Sequence, residues 1–164
     1  MLIRKAKITD VESFWNMQYE LDKETKYMLY EPEERSKNLL RVETMILRSI
    51  EGDNLLLFAE DNDNIVGYIS AQRGTVNRIK HSAYIVIGIR KKYQHKGIGT
   101  RFFEELDRWA IESGLKRLEL TVLCPNVAAK KLYEKSGFVI EGVKKCSIYL
   151  EGEYVDEYYM AKLL

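Results

Sequence analysis

Gln94-His95-Lys96-Gly97-Ile98-Gly99 decides how this chain is read. These residues follow an apolar, β-rich run, Ala83 to Ile89, and open an amphipathic pattern that predicts a helix over 98–113. A strand, a glycine loop and a helix start present bare backbone N–H groups to an anion. The first N–H groups of a helix have no internal partner, and the helix dipole adds positive potential there. Gly97 and Gly99 let the chain turn tightly and approach a bulky pyrophosphate with no Cβ in the way. Arg90, Lys91, Lys92, Lys96 and Arg101 flank the loop, His95 lies within it, and no acid occurs from 90 to 103. The loop is not a Walker loop, whose lysine follows the second glycine, because the candidate Lys96 precedes Gly97. It also lacks the three spaced glycines of a dinucleotide fingerprint. A phosphate-bearing ligand is favoured, without being a nucleoside triphosphate or NAD. The plain alternative is a tight turn with solvated lysines.

The 164 residues suit one domain with a substantial core, and 46% apolar with 31% charged residues is ordinary for a globular chain. A net charge of +1 argues against a nucleic-acid or membrane partner. The charge is uneven, however: eight acids and two lysines lie between Asp10 and Glu34, whereas 90–101 is purely basic. Cys124 and Cys146 have no metal-ligand spacing and make no disulfide framework, so no metal is expected and a reducing cytoplasm is the simpler setting. No signal-peptide core and no apolar run near the ~18 residues of a spanning helix is present.

Outward from the loop, Leu2 to Lys7 alternates as a first strand, and Thr9-Asp10 is expected to cap a helix through Leu21. Pro32 is expected to open a second helix that ends at Gly52-Asp53. Strands are expected over 54–60 and 65–73, joined by the turn Asp61 to Asn64, with Gly67 marking a bulge. Tyr84 to Ile89 precedes the loop; Gly114 ends the next helix; Lys116 to Leu123 is a strand with Glu119, Thr121 and Leu123 on one face. Asn126 caps a helix to Ser136, stopped by Gly137, and two strands follow, 138–149 and 154–163. The order is βααβββαβαββ, a mixed α/β fold.

Residues 85–138 resemble the GCN5-related N-acetyltransferase (GNAT) superfamily. Gln94-x-x-Gly97-x-Gly99 matches that family's glycine loop, and Asn126-x-x-Ala129-x-x-Leu132-Tyr133-x-x-x-Gly137-Phe138 matches its later helix, at the family's separation. The resemblance implies a mostly antiparallel central sheet with helices on both faces, and acetyl transfer from acetyl-CoA, the cosubstrate, to a primary amine. It places the pyrophosphate on the N–H groups of Gln94, His95, Lys96, Gly97, Ile98, Gly99 and Thr100. It places the pantetheine and acetyl carbonyl on the backbone of Ile87, Gly88 and Ile89, where that strand splays from its neighbour. Asn126 is then a CoA contact as well as a helix cap. Tyr133 is the general acid that protonates the leaving thiolate, a task that a phenol of ordinary pKa, about 10, can perform.

The general base is less clear-cut. Ribosomal-protein N-terminal acetyltransferases of the superfamily place a carboxylate in a Leu-Glu-Val pattern; here the stretch is Leu120-Thr121-Val122. Glu119 shares Thr121's face and is the candidate by parity, with a solvated strand-end charge as its alternative. Glu31, Glu33 and Glu34 are further candidates, with the preference of a helix's first turn for acids as their alternative; Tyr68 and Tyr84 lie on central strands and either line the acceptor cleft or fill the core, and His81 reads as a loop residue. The acidic 10–34 segment leans weakly toward a cationic acceptor. A polyamine, an amino-acid-like amine and a protein N-terminus all stay open. Two other classes compete: a non-catalytic acyl-CoA-binding or regulatory module on the same fold, disfavoured by the retained Tyr133, and an interaction domain using Tyr149, Tyr154, Tyr158 and Tyr159. Homodimerisation through the C-terminal strands is a further expectation.

Overall fold

The computed structural model describes residues 1–164. Its elements are β1 (Leu2–Lys5), α1 (Val11–Glu24), α2 (Leu39–Ile50), β2 (Leu55–Asp61), β3 (Asn64–Arg73), β4 (Ser82–Ile89), α3 (Ile98–Glu112), β5 (Arg117–Leu123), α4 (Val127–Lys135), β6 (Val139–Leu150) and β7 (Glu153–Leu163). This is the mixed α/β order expected from the sequence, with neighbouring strands mostly antiparallel. No helix is long and apolar enough to cross a membrane. The chain divides into two compact units, Met1–Gln72 with Val86–Leu106, and Arg73–Ile85 with Asp107–Leu164; β4 and α3 each run through both.

In the first unit β1 pairs antiparallel with β2, and β2 with β3. The core is aromatic. Phe14 of α1 lies 4.7 Å from the Phe58 ring and meets Tyr68 edge-on at 5.0 Å, with Met17, Leu21, Val42 and Ile46 around them. Tyr68 is fully buried, and burial raises its phenol pKa against the smaller effect of a hydrogen bond with Gln18. It fills the core. The turn at Asn62 and Asp63 has φ of 48° and 61°, the paired left-handed conformation of a two-residue hairpin. Register jumps from Ala59↔Gly67 to Glu60↔Ile65, leaving Val66 as the extra residue of a bulge beside Gly67.

Two helix starts differ from expectation. A 3-10 turn, Ile8–Asp10, precedes α1, and the Asp10 carboxylate does not cap that helix. It accepts the Lys7 N–H at 2.7 Å and two bonds from the Arg4 guanidinium at 2.8 and 2.9 Å. The second correction is larger: α2 begins at Leu39, not at Pro32. Glu33 has φ of 69°, which breaks a helix, and Asn38 is the cap, accepting the Arg41 N–H at 3.0 Å. Segment 25–38 is pinned irregularly. Arg35 pairs with Asp22, which is 1% exposed, at 2.5 and 3.1 Å. The Trp15 indole donates to the Ser36 carbonyl at 3.1 Å.

In the second unit β4 runs parallel to β5 through Ser82, Ala83 and Tyr84, which face Arg117, Leu118 and Glu119. β5 pairs antiparallel with β7, and β7 with β6. Leu118, Leu120 and Val122 are buried, and Arg117, Glu119 and Thr121 are half-exposed, so β5 alternates as its sequence predicts. Asn126 caps α4 by accepting the Ala129 N–H at 3.3 Å, and Gly137, at φ of 92°, turns the chain out of it.

Candidate active site

The loop residues lie in the first unit. β4 ends at Ile89, a 3-10 turn covers Lys91–Tyr93, and α3 starts at Ile98. His95 and Gly97 adopt left-handed φ of 59° and 78°. Two left-handed residues on either side of Lys96 turn the chain sharply between the 3-10 turn and α3. Gly97 needs its lack of a Cβ for this φ, and a Cβ built there would meet no protein atom within 4 Å. Ile98 is 2% exposed, so it anchors the loop's end in the core. The Gln94 side chain donates to the Ile89 carbonyl at 3.0 Å and closes the loop on the strand end. Lys96 lies over the Tyr93 ring at 5.0 Å and Lys92 at 5.9 Å, which keeps two cations beside the loop. Arg90 is not among the free cations: its guanidinium is bound by Glu24.

The strand before the loop has a usable edge. Gly74 N–H donates to Ser82 O and Arg90 N–H to Val66 O, so β3 and β4 keep one antiparallel register at both ends of the ladder. Alternation along that register turns the N–H and C=O groups of Ile87 and Ile89 away from β3. Gly88 also has a packing reason to be glycine. A Cβ there would sit 2.5 Å from Leu21 Cδ2 and 2.8 Å from Tyr68 Cε1, so glycine is what lets α1 lie close on β4.

Tyr133, Asn126 and Glu119 lie in the second unit. Tyr133 is on α4 and 8% exposed; its ring tilts on Phe138 at 6.3 Å, and its carbonyl accepts the Phe138 N–H at 3.0 Å. Motif residues Tyr133 and Phe138 thus hold one another in place. Glu119 lines a cavity of about 300 Å³ with Tyr84, Arg117, Thr121, Glu141 and Tyr159. Arg117 donates to Glu119 at 2.6 Å and grips Glu141 bidentately at 2.9 and 2.5 Å. Those bonds, to Glu141 first and Glu119 second, raise the Arg117 pKa, while the Glu141 carboxyl is held below the usual range by Arg117. One guanidinium and two carboxylates leave the cluster one negative charge in excess, which suits an ammonium group. The Tyr84 hydroxyl lies 2.9 Å from Thr121 Oγ1 in the same cavity. Arg117 and Glu141 escaped the sequence reading, since no spacing rule joins residues 24 apart on two strands.

Other candidates lie elsewhere. Tyr68 is core, and His81 is a loop residue whose carbonyl accepts the Lys116 N–H. Glu34 accepts the Glu31 N–H at 2.9 Å in the irregular segment. Half of the eight acids of the acidic stretch are ion-paired: Asp10 with Arg4, Glu20 with Lys23, Asp22 with Arg35, and Glu24 with Arg90.

Comparison with known proteins defines the class. A model of the Acetyltransferase (GNAT) family matches residues 15–138. The chain is 34% identical over 116 residues, 68% of its own length and 69% of the relative's, to the L-amino acid N-acetyltransferase AaaT of Escherichia coli (strain K12). It matches a solved GNAT-family acetyltransferase from Streptococcus pneumoniae with 32% identity and a TM-score of 0.94 over 99% of each chain. It also shares the fold of yncA from Salmonella typhimurium, solved with its cofactor acetyl-CoA, at 18% identity and a TM-score of 0.87 over 100% of this chain and 94% of that one. The chain belongs to the GNAT acetyltransferase family. It is an acetyl-CoA-dependent N-acetyltransferase with acetyl-CoA as cosubstrate, and its glycine loop, with the N–H groups opening α3 and two lysines alongside, fits the charge and bulk of that donor.

Proposed function

We propose that the chain acetylates the α-amine of an amino-acid-like acceptor. The observation that carries the acceptor class is the 34% identity to an L-amino acid N-acetyltransferase, and the second unit's cavity, one negative charge in excess, agrees with an ammonium-bearing molecule. A polyamine is less favoured than the raw sequence suggests, because four of the eight acids between 10 and 34 are already ion-paired.

Acetyl-CoA supplies a thioester carbonyl open to attack and a thiolate that can leave. The N–H groups from Gln94 to Thr100 bind its pyrophosphate, with Lys92 and Lys96 adding screened attraction. The N–H groups of Ile87 and Ile89 are the donors available to the pantetheine and to the carbonyl oxygen as it gains charge. Glu119 accepts the proton that the ammonium must lose before it can attack, through water, and Tyr133 holds its phenolic proton for the departing sulfur. Asn126 serves first as the α4 cap and contacts CoA from there. Much of the acceleration comes from holding two substrates together.

A free-thiol assay across L-amino acids, spermidine, an aminoglycoside and short peptides tests the acceptor. Saturable release with L-amino acids is the expected result. Release with spermidine or peptides alone contradicts the acceptor class and leaves the donor chemistry standing.

A further inference from the structure

Glu24, the last residue of α1, holds the entrance of the glycine loop. One carboxylate oxygen accepts from Nε and a terminal nitrogen of Arg90 at 2.8 and 2.7 Å, and the other accepts the backbone N–H of Lys91 at 2.8 Å. These are the two residues that lead from β4 into the loop. The Arg90 N–H is bonded to Val66 O at 2.9 Å, and the Gln94 side chain returns to Ile89 O. The segment 89–94 is therefore tied at both ends to β3 and β4, and its middle is tied to a helix 67 residues earlier in the chain. Leu21, one turn before Glu24, packs against Gly88 of β4, so the last turn of α1 is itself seated on the strand that feeds the loop. Burial acts to raise the Glu24 pKa, yet its bonds to Arg90 and Lys91 prevail and lower it, and the same contact raises the Arg90 pKa.

In sequence, Arg90 is one of the basic residues that flank the loop. Its charge is engaged by Glu24, whereas Lys92 and Lys96 stay beside the loop over the Tyr93 ring. We propose that Glu24 is a positioning residue for the acetyl donor: it fixes the direction in which the backbone leaves β4, and so aims the N–H groups of Gln94 to Thr100. This rests on the reading of that loop as the pyrophosphate site. The role has a definite sign. Were Glu24 only a neutralising neighbour, its removal would free a cation beside the phosphates and tighten donor binding. As a positioning group, its removal weakens donor binding, because misdirected donors lose most of their value.

Calorimetric titration with acetyl-CoA and steady-state kinetics on Glu24→Ala and Glu24→Gln, each checked by thermal melting, decide the matter. Glu24→Ala is expected to raise the acetyl-CoA Kd and donor KM about tenfold, with the loss falling on KM and not on kcat at saturating donor. Glu24→Gln, whose amide oxygen can still accept the Lys91 N–H, is expected to fall between wild type and Ala. It also serves if the Ala variant does not fold. A purely structural role would instead lower the melting temperature and scale kcat with the folded fraction. Unchanged donor affinity in a folded variant overturns the proposal, as does tighter binding. Failure of wild-type protein to bind acetyl-CoA is a separate result that overturns the loop reading, and the role of Glu24 with it.

Discussion

Tyr133→Phe is expected to lower kcat by about 10²- to 10³-fold while leaving the acetyl-CoA Kd within about twofold of wild type. The substitution removes one oxygen from a ring that is 8% exposed and packed against Phe138, so α4 and its neighbours keep their shape. On the proposed mechanism, what disappears is the proton for the leaving sulfur. A group that acts only as bond cleavage proceeds contributes to the barrier and not to ground-state binding, so the loss falls on kcat. Each tenfold step corresponds to about 1.4 kcal/mol of transition-state stabilisation. Single-turnover thiol release checks this, because it isolates chemistry from product release. An unchanged single-turnover rate would remove Tyr133 as the acid.

Gly97→Val is expected to abolish measurable donor binding, and Gly97→Ala to weaken it by about tenfold or more. Two effects add. The φ of 78° is a left-handed conformation that costs an L residue about 1–2 kcal/mol, and a β-branched side chain more. The new side chain also projects into open space, with no protein atom within 4 Å of its Cβ, so its cost falls on the loop's conformation and on the ligand expected there and not on core packing. Thermal melting with acetyl-CoA titration separates the parts: a small drop in stability with a large loss of affinity is expected. Equal affinity in a folded variant would show that the loop does not hold the donor.

Much of the fold is legible along the chain because the signals are local. Asn62-Asp63 makes the hairpin, Asn126 caps α4, Gly97 takes the positive φ, and the alternation of β5 separates buried Leu118, Leu120 and Val122 from Glu119 and Thr121. Local signals also mislead where two are compatible with one stretch. Pro32 suits the first turn of a helix or an irregular segment, and the cap that starts α2 is Asn38, further along the chain. Contacts between distant residues are what the chain hides. Glu24 with Arg90, Arg117 with Glu141, and the Leu21–Gly88–Tyr68 packing depend on register and on the seating of α1, which no window of sequence contains. For the same reason Arg90 stands in the sequence with the loop's basic flank although Glu24 engages it, and the pairing of Asp10, Glu20, Asp22 and Glu24 is hidden among the eight acids of 10–34.

The central claim is that the loop Gln94 to Thr100 holds the pyrophosphate of the acetyl donor. Calorimetric titration of the wild-type protein with acetyl-CoA, set beside acetyl-pantetheine, which carries the same thioester without the pyrophosphate, tests it most directly. Saturable binding of acetyl-CoA with much weaker binding of acetyl-pantetheine is the predicted result. Equal affinity for the two, or no binding of acetyl-CoA, would contradict the account.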